Sequence, residues 1–196
     1  MRFPLFATTR RLLAAAAMIA AGLPLALAAP GDWPQFRGQN CSGISGETEP
    51  LPVKFSNTEN VKWSAALDDG IGSPVIVDGR VFTSAIMNPP KAADDPFDTS
   101  EPKTPAAPPP AGPSQVALYG FDAETGDKLW ERVWETGELP EIHKTNSHAS
   151  TTPAADAERV YFYFSTLGML CVDAKTGEDV WHAEVPKPFT IFKWGP

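Results

Sequence analysis

The carboxylates with the most suggestive context in this sequence are Asp122 and Asp173, because each opens a nearly identical stretch. The first stretch is DAETGDKLWE, and the second, fifty-one residues later, is DAKTGEDVWH. Paired carboxylates can perform general acid–base chemistry. Each of these two, however, precedes a Thr-Gly pair at the same distance, and an Asp in that place commonly caps a tight turn with its own side chain. The repetition therefore favours a structural role in two equivalent turns.

A second group of reactive side chains lies in HKTNSH, the stretch that begins at His143 and ends at His148. Two histidines are too few for a zinc site, and no HExxH accompanies them. Ser147 and Ser150 suggest a nucleophile beside a base, but no GxSxG motif supports catalysis. The mixed donors and acceptors instead predict a partner-binding loop, with these residues as contacts: His143, Lys144, Asn146 and His148.

The two cysteines, Cys41 and Cys171, carry no spacing signal. Neither CxxC nor CxxCH occurs, which excludes the familiar cysteine-based metal and haem motifs. Whether the two thiols pair depends on geometry that the sequence does not contain. A disulfide and two free thiols both stay open at this point.

The first 28 residues predict a secretory signal peptide. Three arginines precede an apolar stretch, and Ala26-Leu27-Ala28 offers small residues for cleavage. The apolar run is broken by a glycine and a proline and is shorter than the about 20 residues that a membrane-spanning helix needs. We therefore expect export to the periplasm or the cell exterior, by the general or the twin-arginine route, with no membrane span after cleavage.

Charge excludes one class of partner. Without the three arginines of the predicted signal, 13 Lys and Arg residues face 24 Asp and Glu residues. Such an acidic surface repels phosphate backbones, so the sequence predicts no binding of nucleic acid.

Beyond the signal, short apolar runs rich in Val, Phe, Tyr and Trp alternate with turn residues, which predicts an all-β protein. A leading strand is predicted over 60–67. Two four-stranded antiparallel units follow, with strands at 73–77, 80–85, 116–122 and 128–133 in the first and at 149–154, 159–165, 168–173 and 179–184 in the second. Asp78-Gly79 predicts a two-residue hairpin in the first unit. Residues 88–115 form a proline-rich insertion, expected to be exposed and extended or disordered.

Four-stranded units that repeat about every 50 residues favour a β-propeller over two similar hairpins of a β-sandwich. Trp130 and Trp181 hold the same place on the last strand of each unit, and Trp63 holds it on the leading strand. We expect each ring to pack on the turn of the neighbouring blade. The predicted organisation is a signal peptide at 1–28, a lead-in at 29–60 and blades at 61–196. It amounts to two full blades with flanking strands, an incomplete propeller.

The repeated pattern also resembles a known family. The motif A-x-D-x-x-T-G-x-x-x-W of quinoprotein-like propellers, which are the pyrroloquinoline quinone (PQQ) dehydrogenases and their non-enzymatic relatives, is present twice with another small residue for its Ala. The matching residues are Asp122, Thr125, Gly126 and Trp130 in the first copy and Asp173, Thr176, Gly177 and Trp181 in the second. DWPQFRGQNCSGIS resembles the start of bacterial exported members. The resemblance covers nearly all of the chain after the signal and implies the fold, not the activity.

For the family's enzymes, the resemblance implies PQQ with calcium, an Asp base and often adjacent cysteines. No such ligand set aligns with this chain, so we expect no cofactor, no metal and no catalytic residue within it. Our hypothesis is an exported non-catalytic binding or scaffold module. Its protein or glycan partner would lie on the face that carries the long segments 88–115 and 134–148. The alternative is the N-terminal portion of a PQQ-dependent dehydrogenase with its active site beyond residue 196.

Overall fold

The computed structural model describes residues 31–46, 50–90 and 112–187. The predicted signal peptide, the middle of the proline-rich insertion at 91–111, and residues 188–196 lie outside these ranges. Within them the protein is all-β, as predicted, with eight strands and one 3-10 turn at Gln39–Cys41. No helix in the described part of the chain is long and apolar enough to cross a membrane.

Blade 1 is a four-stranded antiparallel meander. Its strands, in spatial as well as chain order, are β1 (Val75–Val77), β2 (Arg80–Met87), β3 (Gln115–Asp122) and β4 (Lys128–Glu135). The predicted hairpin at Asp78-Gly79 is confirmed, since Val77 pairs with Arg80 and the two turn residues have φ values of 49° and 69°. Such a pair of positive φ angles matches the right-handed twist of the flanking strands.

Blade 2 repeats the meander. Its strands are β5 (Ala154–Ala155), β6 (Arg159–Phe164), β7 (Gly168–Asp173) and β8 (Asp179–Ala183), again in chain order. Both blades carry a register shift at the same place, between Gly120 and Phe121 in blade 1 and between Cys171 and Val172 in blade 2. The predicted equivalence of the two units therefore extends to their irregularities.

The first strand of each blade is shorter than predicted. β1 begins only at Val75, and of the stretch 149–154 only Ala154 belongs to a strand. Pro74 and Pro153 have no N–H to give to a sheet ladder, so pairing starts after them. The residues before Pro153 bond elsewhere: the Ala149 carbonyl accepts from the amides of Ile71 and Gly72.

The prediction of a leading strand over 60–67 is wrong. This stretch has no strand pairing in the structure, because a strand needs a neighbouring ladder, and in the described ranges no other segment runs beside it. Side chains hold it instead: Trp63 and Ala65 pack against the apolar residues on one face of blade 1.

The lead-in is fixed to the innermost strands of both blades. Trp33 and Ile76 exchange two backbone hydrogen bonds, at 2.6 and 2.9 Å, and the Pro34 carbonyl accepts from the amide of Ala155 at 2.8 Å. The lead-in therefore crosses the inner edges of β1 and β5 and joins the two blades.

The main core lies between the two sheets. Phe82, Leu118 and Trp130 of blade 1 meet Phe162 and Phe164 of blade 2 in one apolar cluster. The blades thus pack face to face, and burial of these side chains is what holds them together.

Candidate functional site

The Asp122 carboxylate closes the turn of blade 1. Its Oδ1 accepts hydrogen bonds from the amides of Glu124 and Thr125, both at 2.8 Å, while Gly126 has a φ of 78° and donates its amide to the Asp122 carbonyl. The amides of Thr125 and Glu124 lower the pKa of Asp122, because they stabilise the charged form. A carboxylate held ionised in this way is poorly suited to act as a general acid.

Asp173 makes the same turn in blade 2. The amides of Lys175 and Thr176 donate to its Oδ1 at 2.9 and 3.1 Å, and Gly177 has a φ of 71°. These amides lower the pKa of Asp173, with a smaller contribution from the nearby Arg159. Both repeated aspartates therefore serve as side-chain caps of equivalent turns.

Each turn receives a tryptophan from the preceding unit. The Trp130 indole N–H donates to the Ala174 carbonyl at 3.1 Å, and a Cβ on Gly177 would lie 2.7 Å from the Trp130 ring. Only a glycine allows this approach.

Trp63 repeats the contact one blade earlier. Its indole N–H donates to the Ala123 carbonyl at 3.0 Å, and its ring covers Gly126. In blade 1 the small residue that begins the motif has a similar reason: a Cβ on Gly120 would lie 2.5 Å from the Trp130 ring.

The two long segments leave the same end of blade 1. Residues 88–114 connect β2 to β3, and residues 136–148 follow β4, which includes the first two residues of the segment predicted over 134–148. Their bases are bonded to each other, since the amide and the hydroxyl of Thr136 both donate to the Ser114 carbonyl, at 3.1 and 3.0 Å. The Ser114 hydroxyl in turn donates to the Asn88 carbonyl at 2.6 Å. We call this end of the two blades the loop face, and the opposite end, with the Asp-Gly and Asp-Ala-x-Thr-Gly turns, the turn face.

His143 to Asn146 form a tight turn on the loop face. The Asn146 amide donates to the His143 carbonyl at 2.9 Å, and the Thr145 hydroxyl lies 2.8 Å from the His143 Nδ1. Lys144 and Thr145 at the tip are exposed, whereas His143 and Asn146 are half-buried. Three of the four predicted contact residues are thus presented together at the surface.

The fourth, His148, follows this turn in the chain and is only 5% exposed. Its Nδ1 has no hydrogen-bond partner among the described residues. Burial lowers the pKa of His148, and the charge of Asp69 opposes that shift in part. His148 is therefore buried and does not face solvent.

Sequence reasoning missed Asp69. Its Oδ2 accepts the Ser147 hydroxyl at 2.8 Å, and the Ser147 Oγ also accepts the amide of Ala149. The Ser147 hydroxyl is therefore directed to Asp69, so Ser147 does not form the suggested nucleophile–base pair with His148. Asp69 and Ser147 are 78 residues apart, and no local motif joins them.

Close backbone packing supports the same junction. The amides of Ile71 and Gly72 donate to the Ala149 carbonyl at 3.1 and 3.0 Å, and a Cβ on Gly72 would lie 2.7 Å from the Thr151 carbonyl oxygen. The link that enters blade 1 and the link that enters blade 2 thus form one continuous surface on the loop face.

A family comparison agrees with this geometry. The sequence profile of a PQQ-repeat family, described as outer membrane protein assembly factor BamB, matches residues 45–191, well over half of the chain. The chain belongs to this PQQ-like repeat family. No curated protein matches it. The predicted family and fold are confirmed: the two sheets are PQQ-like repeat blades of a β-propeller that the described residues do not close.

The sequence left open whether Cys41 and Cys171 form a disulfide. Cys41 is exposed and Cys171 is buried, and neither takes part in a disulfide. Burial raises the pKa of the Cys171 thiol, which keeps it protonated and unreactive. In the described part of the chain, no group of three or more His, Cys, Asp or Glu side chains is arranged to hold a metal ion.

Proposed function

We propose that this protein is an exported, non-catalytic binding module of the PQQ-like repeat family, whose loop face binds a protein or glycan partner. The observation that carries the proposal is the bonded pair of loop bases, Ser114 and Thr136. It joins two long segments at one end of a rigid scaffold. Long loops fixed to a rigid scaffold are where binding surfaces are commonly found.

The hydrogen bonds of the reactive side chains support a role other than catalysis. Asp122 and Asp173 cap turns on the face opposite the long loops. The Ser147 hydroxyl is engaged by Asp69. The hydrogen bonds of Asp122, Asp173 and Ser147 thus account for these three side chains without a catalytic role.

The contacts to the partner are assigned to the exposed turn. Lys144 supplies a cation and up to three donors, and Asn146 and His143 supply donors and acceptors. His148 is buried and is not among these contacts. Export rests on the predicted signal at 1–28, and a protein partner suits a family described as an assembly factor of the outer membrane.

Site-specific photo-crosslinking in cells tests the loop face. A photoreactive residue replaces Thr145 on the loop face or Lys175 on the turn face of the full chain. We expect a specific crosslinked product from the first site and none from the second. Digestion of that product by a protease or by a glycosidase separates a protein from a glycan partner. Crosslinks from Lys175 alone would contradict the proposal.

The residue assignment is tested with the captured partner. The double change Lys144→Ala and Asn146→Ala should weaken binding by about tenfold, because a few contact residues carry most of the affinity at an interface. The matched control is Lys175→Ala, an exposed lysine on the turn face, and it should leave affinity unchanged. Equal affinities of the double variant and the parent would remove these residues from the site.

A separate assay tests the non-catalytic part. The full chain is mixed with PQQ and calcium, and alcohol-dependent dye reduction is followed. We expect no turnover that depends on the described residues. Turnover that disappears on changing Ser147→Ala or His148→Asn, with folding retained, would overturn the proposal.

A further inference from the structure

The outermost strands of the two blades separate at the perimeter and leave a groove between them. The groove has a volume of about 520 Å³, within the range of about 300–1,000 Å³ typical of ligand-binding clefts. Its lining comes from the end of β4, from Leu167 and Leu170, and from the first four residues of β8. Its lining contains none of the contact-turn residues 143–146, so it does not depend on the function proposed above.

The floor of this groove is apolar and firmly packed. Trp134 and Leu167 rest on the core between the blades, and Leu170 is itself a buried core residue. Val180 stands at the rim with 43% of its surface exposed. An apolar side chain that enters the groove would therefore meet a preformed surface.

Side-chain bonds fix both walls. Arg132 of β4 donates two hydrogen bonds to the Asp179 carboxylate of β8, one of them at 3.1 Å from its Nε. The same guanidinium lies 5.8 Å from the centre of the Trp134 ring. His182 Nε2 is hydrogen-bonded to the Leu167 carbonyl at the other end. The Arg132–Asp179 pair thus links the two walls of the groove.

Both strands that flank the groove are sheet edges. β4 and β8 are the last strands of their sheets, and each pairs on one side only within the described residues. Every residue of β8 is exposed. An edge strand presents unpaired N–H and C=O groups, which an extended peptide can use to add a further strand.

The surroundings of the groove are acidic. Arg132, the cation that borders the groove, is already paired with Asp179. Glu135, Glu178 and Glu184 lie on or next to β4 and β8 and make no ion pair in the described part of the chain. Their negative charge favours a cationic ligand.

We propose that this groove binds an extended segment of a partner protein in which apolar and basic side chains alternate. The segment adds a strand to β8. Because successive side chains of a strand point to opposite faces, its apolar residues pack on Trp134 and Val180, and its basic residues face the surrounding carboxylates.

A labelled synthetic peptide, Lys-Val-Lys-Leu-Lys-Val, is the first probe, and its binding to the full chain is followed by fluorescence anisotropy. We expect saturable binding that weakens with added salt. Replacing every Lys by Glu should weaken it at least about tenfold, because like charges then face each other. N-methylation of the alternate peptide amides that face β8 should abolish binding, because it removes the N–H donors that pair with that strand. Equal binding of all these peptides would overturn the proposal.

Two variants locate the site. Val180→Lys places a cation at the rim and should weaken binding of the Lys peptide at least about tenfold, as expected for the loss of a central contact. Leu129→Lys is the matched control, since Leu129 is 47% exposed on β4 but does not line the groove. It should change affinity less than about threefold. Thermal midpoints of both variants check the fold, and equal losses from both would contradict the assignment.

A second copy of this chain could occupy the groove in place of a partner segment, and a further experiment distinguishes the two. Light scattering of the full chain over a range of concentrations gives its oligomeric state. We expect the state to be the same for the parent and for Val180→Lys. Self-association of the parent that Val180→Lys abolishes would make the second copy the occupant and overturn the partner-peptide proposal.

Discussion

Blade 1 and blade 2 share a motif, a meander and a register shift, yet their strands are buried differently. In β2 and β3 the six central residues are all buried, whereas in β6 buried and half-buried residues alternate, and all of β8 is exposed. Blade 1 lies between blade 2 and the segment around Trp63, so both of its faces are covered. Among the described residues, blade 2 has a neighbour on one face only.

The same difference applies to the repeated tryptophan. Trp130 is 8% exposed because blade 2 supplies the turn on which it docks, and Trp181 is 44% exposed. The contribution of this tryptophan to the stability of the fold therefore depends on whether a neighbouring blade covers it, and not on its place in the motif.

The largest effect is expected from removing the docked ring. Trp130→Ala should lower the free energy of unfolding by about 3–5 kcal/mol, because it empties a core site and leaves the Ala174 carbonyl without its donor. Trp181→Ala, at the equivalent site, should lower it by about 1 kcal/mol or less. Urea unfolding of the full chain measures both. Similar losses from the two changes would show that blade 2 is covered on both faces.

The turn beneath the ring gives the next effect. Gly177→Ala should cost about 2–4 kcal/mol, since it combines a positive φ with a clash against Trp130. Gly79→Ala separates the two causes, because Gly79 also has a positive φ, of 69°, but meets no atom within 4 Å. It should cost only about 1–2 kcal/mol. Equal costs in thermal or urea unfolding would mean that the ring does not rest on Gly177.

Removing a turn cap should have a smaller effect. Asp173→Ala and Asp122→Ala should each lower the melting temperature by a few degrees, roughly 2–5 °C, through loss of the acceptor for two amides. Asp173→Ala is expected to cost more, because Asp173 also pairs with Arg159 at 3.1 Å. The Asp→Asn variants, whose amide oxygen still accepts, should retain most of the stability. A larger loss from Asn than from Ala would refute the capping role.

The smallest expected effect is a pH dependence of the folding stability that arises from His148. Folding lowers the pKa of His148 below its ordinary value of 6.5 through burial, so the unfolded chain binds the proton more tightly than the folded one. Stability should therefore fall as the pH drops through 6.5, until the folded pKa is passed. His148→Asn should flatten this slope between pH 7.5 and pH 5. An unchanged slope would show that His148 is not the group responsible.

The sequence predicted much of the fold because its strongest signals are local. The Asp-Gly hairpin, the two capped turns and seven of the eight strands were predicted within two residues at each end, since turn geometry and side-chain alternation depend on adjacent residues. β5 and the leading strand at 60–67 failed. β5 is shorter than predicted because Pro153 has no N–H for the sheet ladder. Residues 60–67 form no strand because no strand lies beside them in the described ranges.

For the candidate site, the sequence alone identified the repeated turn residues and the HKTNSH loop, because residue type and spacing are visible in one dimension. The tertiary structure decided which of these residues are presented at the surface. It buried His148, joined Ser147 to Asp69 across 78 residues, and brought Ser114 against Thr136. It also covered Trp130 while leaving Trp181 exposed. The physical reason is that burial and hydrogen bonding depend on which surfaces meet after folding, and two identical motifs meet different neighbours.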